Sequence, residues 1–421
     1  MKYKVFWCKV NKYYTDEWLN SEYLKDKNWL FVASCVVTDK AKRKWLKFIK
    51  DELKEIKETD KIFISWCWAF EKWEENKNFF EVYPELKNFE SKIEILWESP
   101  KKKNSPPARG ELEGGLIKIP KMNLPKVSLT TKKFLVIQGW CDSFCTFCLT
   151  VIKRWKHFYR SKEDIVDEIT DFEMRWWKEV VLTWVNLCAW GLDSTNDYKN
   201  TKFDELLSYI LEKTEIPRIR ISSIWPEFIN EKTLKIFENK RIYPHFHFSI
   251  QSWSSNILKS MKRHYDGEYL RDLLQKTLNV KREDSVSISI WADLIVWFPG
   301  ETESNFSETY NLVKDFNITK VHAFPFSNHT LGEHVPASFF PNQVDEKIKK
   351  ERLDRLLKVW EETREKFINS QKWKTLEILI ESEKDWIFKW WSENYIECTN
   401  ENFEVISGNI KKNEIIIWKL K

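Results

Sequence analysis

The sequence is poor in glycine and has no long apolar run. Only 9 of its 421 residues are glycine, whereas average usage would give on the order of 30. No apolar stretch approaches the roughly 20 residues that cross a bilayer, and the opening MKYKVFWCKV lacks the apolar segment of a signal peptide. These absences predict a cytoplasmic protein with no membrane partner, in which the eight cysteines stay reduced.

Tryptophan is in excess where glycine is in deficit. The chain has 24 tryptophans, and several stand where chain geometry would favour glycine, among them Trp225 before a proline and Trp297 in VWFPGE. Tryptophan is a poor replacement there, because glycine is used where φ is positive or where backbones approach closely. Our hypothesis is that the gene uses a code in which UGA specifies glycine. An ordinary aromatic-rich protein is the alternative.

The length and net charge of the chain only loosely constrain its domain number and its partners. A chain of 421 residues exceeds the size at which one hydrophobic core stops growing, so two or three domains are expected. The net charge of +5, from 69 basic and 64 acidic residues, permits nucleic-acid binding without requiring it. By itself this charge is weak support for an RNA partner.

The first 98 residues alternate short apolar runs with amphipathic charged segments. This βαβαβ pattern predicts a parallel sheet. Cys8, Cys35 and Cys67 fall at or near the C-terminal ends of the three predicted strands. Those ends share one edge of a parallel sheet, where ligands bind. We therefore predict that the three cysteines converge as metal ligands, with three separate buried thiols as the alternative.

Three further regions follow the N-terminal domain. Residues 99–126, rich in proline, lysine and glycine, are predicted to be a linker. Residues 127–343 repeat six βα units, which predicts a full or partial (β/α) barrel with its site at the C-terminal strand ends. Residues 344–371 predict one long charged helix that bridges to residues 372–421, whose short strands are typical of a small β-barrel. The predicted fold class is therefore α/β with a small all-β end domain.

Three cysteines follow the first predicted strand of the barrel in the stretch QGWCDSFCTFC. Cys141, Cys145 and Cys148 have the spacing C-x3-C-x2-C. Cubane iron–sulfur clusters normally take four thiolates, so a loop that gives three leaves one iron open to another ligand. A structural zinc ion would need a fourth ligand, which His157 could supply. The spacing favours an iron–sulfur cluster and leaves open a non-catalytic RNA-binding protein with structural zinc.

With the aromatic Phe147 before its third cysteine, this loop resembles the signature of radical S-adenosylmethionine enzymes. The resemblance extends over nearly the whole chain to the methylthiotransferases of that family, whose TRAM domain would match the predicted C-terminal barrel. The matching segments are FWCKVNKYYTDE, VASCVVTDKAKRK, SWCWAF, VVLTWVNL, RIRISSIWPEF, PHFHFSIQSWS and ADLIVWFPGETE. The match improves when tryptophan is taken as glycine at Trp7, Trp66, Trp140, Trp155, Trp184, Trp253, Trp291 and Trp297.

The resemblance implies two [4Fe-4S] clusters and S-adenosyl-L-methionine as cofactors. One cluster would bind the cofactor and cleave it to a 5′-deoxyadenosyl radical; its ligands would be Cys141, Cys145 and Cys148. A second cluster would hold the sulfur to be inserted; its ligands would be Cys8, Cys35 and Cys67. Candidate contacts of the cofactor or substrate in the barrel are Phe147, Asn186, Ser222 and Gln251.

The resemblance also implies a tRNA substrate. Cys8 to Asn11, with LTWVNL and RIRISSI, most resembles the subgroup that methylthiolates C2 of N6-threonylcarbamoyladenosine next to the anticodon. Methylthiolation of isopentenyladenosine is the alternative. The implied partners are the anticodon stem-loop of tRNA and a reductant protein such as a flavodoxin or ferredoxin.

Several other residues carry weaker signals. His245 and His247 alternate on one predicted strand and are expected to face the same side, as ligand contacts or as packed side chains. Arg154 and Arg160 follow the cysteine loop, where they could hold the loop or a phosphate. The two remaining cysteines, Cys188 and Cys398, are predicted to be buried thiols.

Overall fold

The computed structural model describes residues 2–6, 9–21, 23–24, 29–34, 39–65, 79–96, 116–117, 131–149, 157–329, 334–384, 387–399 and 402–421. Cys8, Cys35, Cys67 and Arg154 lie outside the described residues, as does the predicted linker apart from residues 116–117. Among the helices in these ranges, none is both long and apolar enough to span a bilayer.

The N-terminal region forms a four-stranded parallel sheet in sequence order, which confirms the predicted βαβ pattern. Its strands are β1 (Lys2–Val5), β2 (Trp29–Ala33), β3 (Lys61–Ser65) and β4 (Ile93–Leu96). Its helices are α1 (Lys9–Leu19), α2 (Asp39–Glu55) and α3 (Phe79–Val82). Leu30 and Val32 pack with Trp45 of α2, whereas Phe31 packs with Trp18 of α1. Both faces of the sheet are therefore covered by helices, as parallel sheets require.

The central region contains six parallel strands. They are β6 (Lys132–Val136), β9 (Glu179–Thr183), β10 (Arg218–Ile221), β11 (His245–Gln251), β12 (Ser289–Val296) and β13 (Lys320–Pro325). They pair in the orders β6-β9-β10 and β11-β12-β13. Two parallel bridges, Ile219 to Ile242 and Ile224 to Phe248, join the two groups. The result is the predicted partial (β/α) barrel.

In the described part of this region, six helices accompany the strands. They are α4 (Lys162–Met174), α5 (Phe203–Lys213), α6 (Glu231–Ile236), α7 (Ser255–Ser260), α8 (Gly267–Leu278) and α9 (Glu303–Asp315). Three short strands lie beside the barrel: β5 (Leu116–Ile117), β7 (Gln138–Gly139) and β8 (Phe158–Arg160). Helix α4 begins at a capped end, where the Ser161 hydroxyl accepts a hydrogen bond from the Asp164 N–H at 3.1 Å.

The strands β11 and β12 have one apolar and one polar face. Phe246, Phe248, Ala292 and Leu294 belong to the main hydrophobic core. Because strand residues alternate between faces, the residues between them lie on the opposite face. That face carries histidines, Ser249, Gln251 and Asp293. The polar face lines the inside of the barrel.

The C-terminal region follows α10 (Glu346–Gln371). It is a five-stranded antiparallel sheet of order β16-β15-β14-β18-β17. The strands are β14 (Thr375–Lys384), β15 (Ile387–Ser392), β16 (Glu397–Thr399), β17 (Phe403–Ser407) and β18 (Ile415–Leu420). Register shifts in the β14–β15 and β17–β18 pairs bend the sheet. Leu376, Ile378, Trp390 and Trp418 form its core.

Candidate functional site

The three cysteines of the central motif lie on one loop that directly follows β7. Cys141 and Cys145 are 5% and 4% exposed, and Cys148 is half-buried. Gly139, two residues earlier, lies so close to Phe158 that a Cβ atom there would come within 2.0 Å of the ring. A side chain at this position would therefore force the Phe158 ring of β8 to move.

Two polar residues inside the loop hold it in place. The Thr146 N–H donates to the Met261 carbonyl at 3.2 Å, and the Thr146 hydroxyl donates to the Ser260 carbonyl at 2.9 Å. The carboxylate of Asp142 accepts hydrogen bonds from the Ser194 hydroxyl at 2.8 Å and from the Thr195 N–H at 2.7 Å. The loop is thus fixed from two sides of the barrel before any ligand binds, which keeps its cysteines in one orientation.

The three thiols interact electrostatically. Burial, together with the neighbouring Cys145 and Cys148, raises the pKa of Cys141 to about 12. Burial also raises the pKa of Cys145 to about 11, against the opposing effect of Arg263. Three adjacent thiolates in a buried site are unfavourable unless a cationic group binds them. This donor set therefore fits a group that carries positive charge, such as the iron of a cluster.

The spacing of the thiols does not fit a single zinc ion. Two sulfurs bound to one zinc at about 2.3 Å each can be at most about 4.6 Å apart. Among the described residues, the one group of at least three His, Cys, Asp or Glu ligand atoms within 4.8 Å of one another contains no cysteine. His157, the predicted fourth ligand, instead lies 2.8 Å from Gln138 Nε2 through its Nδ1 atom. The structure therefore gives no support to the zinc alternative.

A buried arginine beside the loop was not found from the sequence. Arg263 Nη1 lies 3.6 Å from Cys145 Sγ, and its Nη2 lies 3.4 Å from the Glu227 carboxylate. Its guanidinium stacks on Trp225 at 4.0 Å and donates to the Tyr265 hydroxyl at 2.9 Å. In the sequence MKRHYD, this arginine looks like any surface cation. Its fixed positive charge can stabilise a thiolate or another anionic group at the loop.

Three of the predicted contact residues lie at neighbouring strand ends. Asn186 follows β9, Ser222 follows β10, and Gln251 ends β11. These C-terminal ends share the edge of the barrel with the cysteine loop. Asn186 is completely buried, and neither polar atom of its amide has a hydrogen-bond partner among the described residues. Because an orphaned buried amide is costly, this side chain is suited to a polar ligand.

The other two strand-end residues and Phe147 differ in how they are held. The Ser222 hydroxyl makes a long contact of 3.5 Å with the Thr183 hydroxyl. Gln251 has a φ of 70°, which places it in the left-handed region that side chains rarely occupy. Phe147 is half-buried between the main core and a smaller apolar cluster. It anchors the loop rather than pointing into solvent.

The remaining predicted residues are placed clearly. His245 and His247 are both buried and lie on the same face of β11. Arg160 is buried in an ion pair with Glu168 at 2.8 Å and donates to the Val136 carbonyl. Of the two roles considered for Arg160, holding the loop or a phosphate, the phosphate contact has no support in the structure, because Glu168 and the backbone occupy its guanidinium. The two cysteines outside the motif are completely buried, as predicted; they are Cys188 and Cys398.

Four tryptophans have the backbone conformation that favours glycine. Positive φ values are found at Trp140 (59°), Trp176 (64°), Trp297 (70°) and Trp373 (67°). Such values are a genuine outlier for a bulky residue. Trp225 differs, since its φ is −92°. The expectation that this position needs glycine for its backbone conformation is therefore wrong. Trp7, Trp66 and Trp155 lie outside the described residues.

Comparison with known proteins identifies relatives of the chain. The pattern of the Radical SAM superfamily matches residues 135–313. A threonylcarbamoyladenosine tRNA methylthiotransferase MtaB of Thermotoga maritima is 30% identical over 378 residues, which cover 85% of this chain and 80% of the relative. The corresponding Bacillus subtilis protein is 32% identical over 302 residues, covering 70% of this chain.

A relative named for another substrate also matches. The tRNA-2-methylthio-N(6)-dimethylallyladenosine synthase of Desulforamulus reducens is 29% identical over 68% of this chain and 58% of its own length. The chain also spans 64% of the length of the Bacillus subtilis relative. Both kinds of relative share the region that contains the cysteine loop.

Proposed function

Because the chain belongs to the tRNA methylthiotransferase family of radical S-adenosylmethionine enzymes, we propose that it methylthiolates N6-threonylcarbamoyladenosine in tRNA. In this reaction the hydrogen on C2 of the base is replaced by a methylthio group. The single observation that carries the proposal is the buried loop of Cys141, Cys145 and Cys148 at the C-terminal edge of the barrel strands.

The cysteine loop is the proposed binding site of a [4Fe-4S] cluster. Cys141, Cys145 and Cys148 would bind three irons and leave the fourth open. When bound, the cluster and S-adenosyl-L-methionine supply the one-electron cleavage that generates a radical. The chain itself keeps the loop rigid through Thr146 and Asp142 and excludes water from Cys141 and Cys145.

The strand-end residues are the proposed contacts of S-adenosyl-L-methionine. Asn186 would donate and accept hydrogen bonds through its orphaned amide. Ser222 and Gln251 lie at the next two strand ends and extend the same edge. Phe147 would hold the loop against them, since it packs on two apolar clusters at once. Together these residues would orient the cofactor above the barrel.

A second [4Fe-4S] cluster is proposed for the N-terminal domain. Cys8, Cys35 and Cys67 each follow one of three parallel strands by two or three positions, since β1 ends at Val5, β2 at Ala33 and β3 at Ser65. Parallel strands end at one edge. This placement supports a common site for the three cysteines, which would hold the sulfur that is transferred.

The proposed arrangement assigns one task to each region. Residues 1–98 hold the sulfur-carrying cluster, residues 127–343 the radical barrel, and residues 372–421 a TRAM-like RNA-binding barrel. The linker 99–126 and the helical bridge 344–371 connect them. The substrate would be the anticodon stem-loop of tRNA, the reductant a flavodoxin or ferredoxin, and the compartment the cytoplasm.

Nucleoside analysis tests the proposed reaction. A synthetic gene with glycine codons in place of UGA is expressed in a bacterial strain that lacks its own tRNA methylthiotransferases, and digested tRNA is analysed by mass spectrometry. We expect 2-methylthio-N6-threonylcarbamoyladenosine to appear. The C145A variant should yield none, because the cluster loses a ligand. The matched control C398A removes a thiol buried in the C-terminal sheet and should retain the product.

The relatives named for dimethylallyladenosine define the second candidate substrate. If 2-methylthio-dimethylallyladenosine accumulates and the threonylcarbamoyl product does not, the chain acts on the other base. Absence of both products from strains that contain cluster-loaded protein would overturn the proposal of tRNA methylthiolation.

A further inference from the structure

The inside of the barrel carries a polar group that the proposed cofactor contacts do not include. His247 on β11, Asp293 on β12 and His322 on β13 lie on three neighbouring parallel strands. His247 Nε2 lies 2.8 Å from Asp293 Oδ1, and His322 Nδ1 lies 3.2 Å from the same oxygen. One carboxylate oxygen thus connects two imidazoles. We call these three residues the His–Asp–His group.

The group is anchored at one end and open at the other. The exposed fraction of the side chain rises from 7% at His247 to 16% at Asp293 and 30% at His322. Ser249 supports the carboxylate, since its hydroxyl donates to the other oxygen of Asp293 at 3.4 Å. His322 is therefore the member that a ligand inside the barrel can reach.

Asp293 sets the orientation of the His322 ring. Burial alone would raise the pKa of Asp293, but His247 and His322 outweigh it and hold that pKa below its usual range. An ionised carboxylate only accepts hydrogen bonds, so His322 donates to it from Nδ1. In the neutral ring the other nitrogen, Nε2, is then an acceptor. No described residue makes a hydrogen bond with this second nitrogen.

Aromatic rings stand on both sides of His322. Its ring centroid lies 5.4 Å from Trp291 and 6.4 Å from Phe324, both in edge-to-face arrangements. Proteins that hold single RNA bases combine aromatic surfaces with hydrogen bonds to the edges of the base. If position 291 is glycine in the cell, Phe324 remains as the aromatic neighbour of His322, and the space of the indole becomes available to a ring system of similar size. A purine is such a ring system.

We propose that His322, oriented by Asp293 and His247, binds the polar substituent on N6 of the target adenine. This inference rests on the proposed function and adds a determinant of specificity to it. A threonylcarbamoyl substituent has one N–H of its own, on the threonine nitrogen, from which Nε2 can accept a hydrogen bond, whereas a dimethylallyl substituent offers no polar atom of its own. A site built to hydrogen-bond a substrate group discriminates against an analogue that lacks the group. His322 is thus a specificity-determining residue for threonylcarbamoyladenosine.

Two variants of His322 distinguish the effect of its hydrogen bond from the effect of its ring shape. H322F keeps a flat ring and removes the acceptor, and H322Q replaces the ring by a side chain with an acceptor. The reconstituted full-length protein is assayed on two synthetic anticodon stem-loops, one with threonylcarbamoyladenosine and one with dimethylallyladenosine. H334F is the matched control, because His334 is an exposed histidine outside the barrel strands.

The expected result is a loss that depends on the substrate. H322F should lower kcat/KM about tenfold on the threonylcarbamoyl stem-loop, the size of one hydrogen bond to a buried partner. It should leave kcat/KM on the dimethylallyl stem-loop within about twofold of wild type, and H322Q should recover most of the loss. H334F should match wild type on both substrates.

Three outcomes would overturn the inference. Unchanged kcat/KM in H322F would show that His322 does not contact the substituent, and an equal loss on both stem-loops would assign it a structural role. If the reconstituted wild type binds added zinc stoichiometrically and H322F does not, the His–Asp–His group is a metal site. Failure of cluster-loaded wild type to modify either stem-loop would instead refute the proposed function itself, and the inference with it.

Discussion

At the scale of single residues, backbone conformation divides the tryptophans into two groups. Trp45 in α2 and Trp360 in α10 lie in helices and pack their rings against the protein. Trp140, Trp176 and Trp297 instead have positive φ values. The left-handed region costs an L-residue with a side chain roughly 1–2 kcal/mol. The second group therefore occupies positions suited to glycine, which supports the hypothesis that UGA is read as glycine.

Replacing exposed members of this group by glycine should stabilise the fold. Trp176 and Trp373 are 76% and 64% exposed, so little burial is lost. We expect W176G and W373G each to raise the free energy of unfolding by about 1 kcal/mol, measured by urea denaturation. The control W45G removes a completely buried ring from a helix and should lower it by about 3 kcal/mol or more.

Destabilisation of both exposed variants would argue against glycine at these positions. Peptide mass spectrometry on the protein from its own cells provides an independent check. It should find glycine at Trp140, Trp176, Trp297 and Trp373. Tryptophan at all four would refute the recoding hypothesis directly, whatever the stability measurements show.

Asn186 should matter for cofactor binding more than for folding. Its amide is buried without a hydrogen-bond partner among the described residues, so its removal takes no hydrogen bond from the free protein. We expect N186A to leave the melting temperature within a few degrees of wild type and to weaken S-adenosyl-L-methionine binding about tenfold. The control N200A alters an exposed asparagine whose side-chain amide donates to Asp197. Unchanged cofactor affinity in N186A would remove this residue from the site.

At the scale of structural elements, a buried charge cluster holds two barrel strands together. Glu179 on β9 accepts hydrogen bonds from Arg218 at 3.0 Å and from Arg220 at 2.9 Å, both on β10. Burial alone would raise the pKa of Glu179, but Arg220, Lys132 and Arg218 outweigh it and lower that pKa to about 2. The cluster extends to the C-terminal sheet, because Arg220 donates to the Glu393 carbonyl at 3.3 Å.

Removing the central carboxylate of this cluster should be costly. E179Q leaves two buried guanidinium groups without a counter-ion, and breaking a buried pair in this way costs about 3–5 kcal/mol. We expect a corresponding drop in the free energy of unfolding. D51N is the control, since it breaks the exposed Asp51–Lys54 pair of 3.3 Å and should cost under about 1 kcal/mol. Equal effects of the two variants would contradict this account.

Glu393 should make the stability of the fold depend on pH. Burial raises the pKa of Glu393 to about 7, above the value near 4.3 expected in the unfolded chain. Between these two pKa values, Glu393 is protonated in the folded protein and ionised in the unfolded chain. The free energy of unfolding therefore falls as pH rises from about 4.5 to about 7. E393Q keeps an oxygen for the Glu377 N–H and removes the charge.

The melting temperature of E393Q should consequently fall less over this pH range. At pH 8 we expect it to be more stable than wild type by on the order of 2 kcal/mol. The control E397Q alters an exposed glutamate on β16 and should follow the wild-type curve. If the melting temperature of E393Q depends on pH as steeply as that of wild type, another titrating group is responsible for the pH dependence.

The elements were largely predictable from the sequence, but their contacts were not. Alternation of apolar runs and amphipathic segments predicts the parallel sheets, because period-2 and period-3.6 patterns are local properties of the chain. The cysteine loop is also local. Arg263, by contrast, reaches Cys145 from 118 positions away, and the His–Asp–His group depends on the register of three strands. Such long-range placements leave no local pattern to detect.

At the scale of the whole molecule, the proposed function depends on two cysteine triads in one chain. The barrel loop brings together Cys141, Cys145 and Cys148. The proposed second site would join Cys8, Cys35 and Cys67, which follow β1, β2 and β3 in the sequence. The proposed reaction would use both sites, one to generate a radical and the other to hold the sulfur. The central claim is therefore that the protein carries two clusters with three cysteine ligands each.

The most direct test is to measure iron and acid-labile sulfide per chain. The protein is made with UGA read as glycine and is purified and reconstituted without oxygen. The account predicts about eight irons and eight sulfides, the content of two cubane clusters. About four of each would remove the N-terminal cluster, and near-zero iron with stoichiometric zinc would contradict the account as a whole.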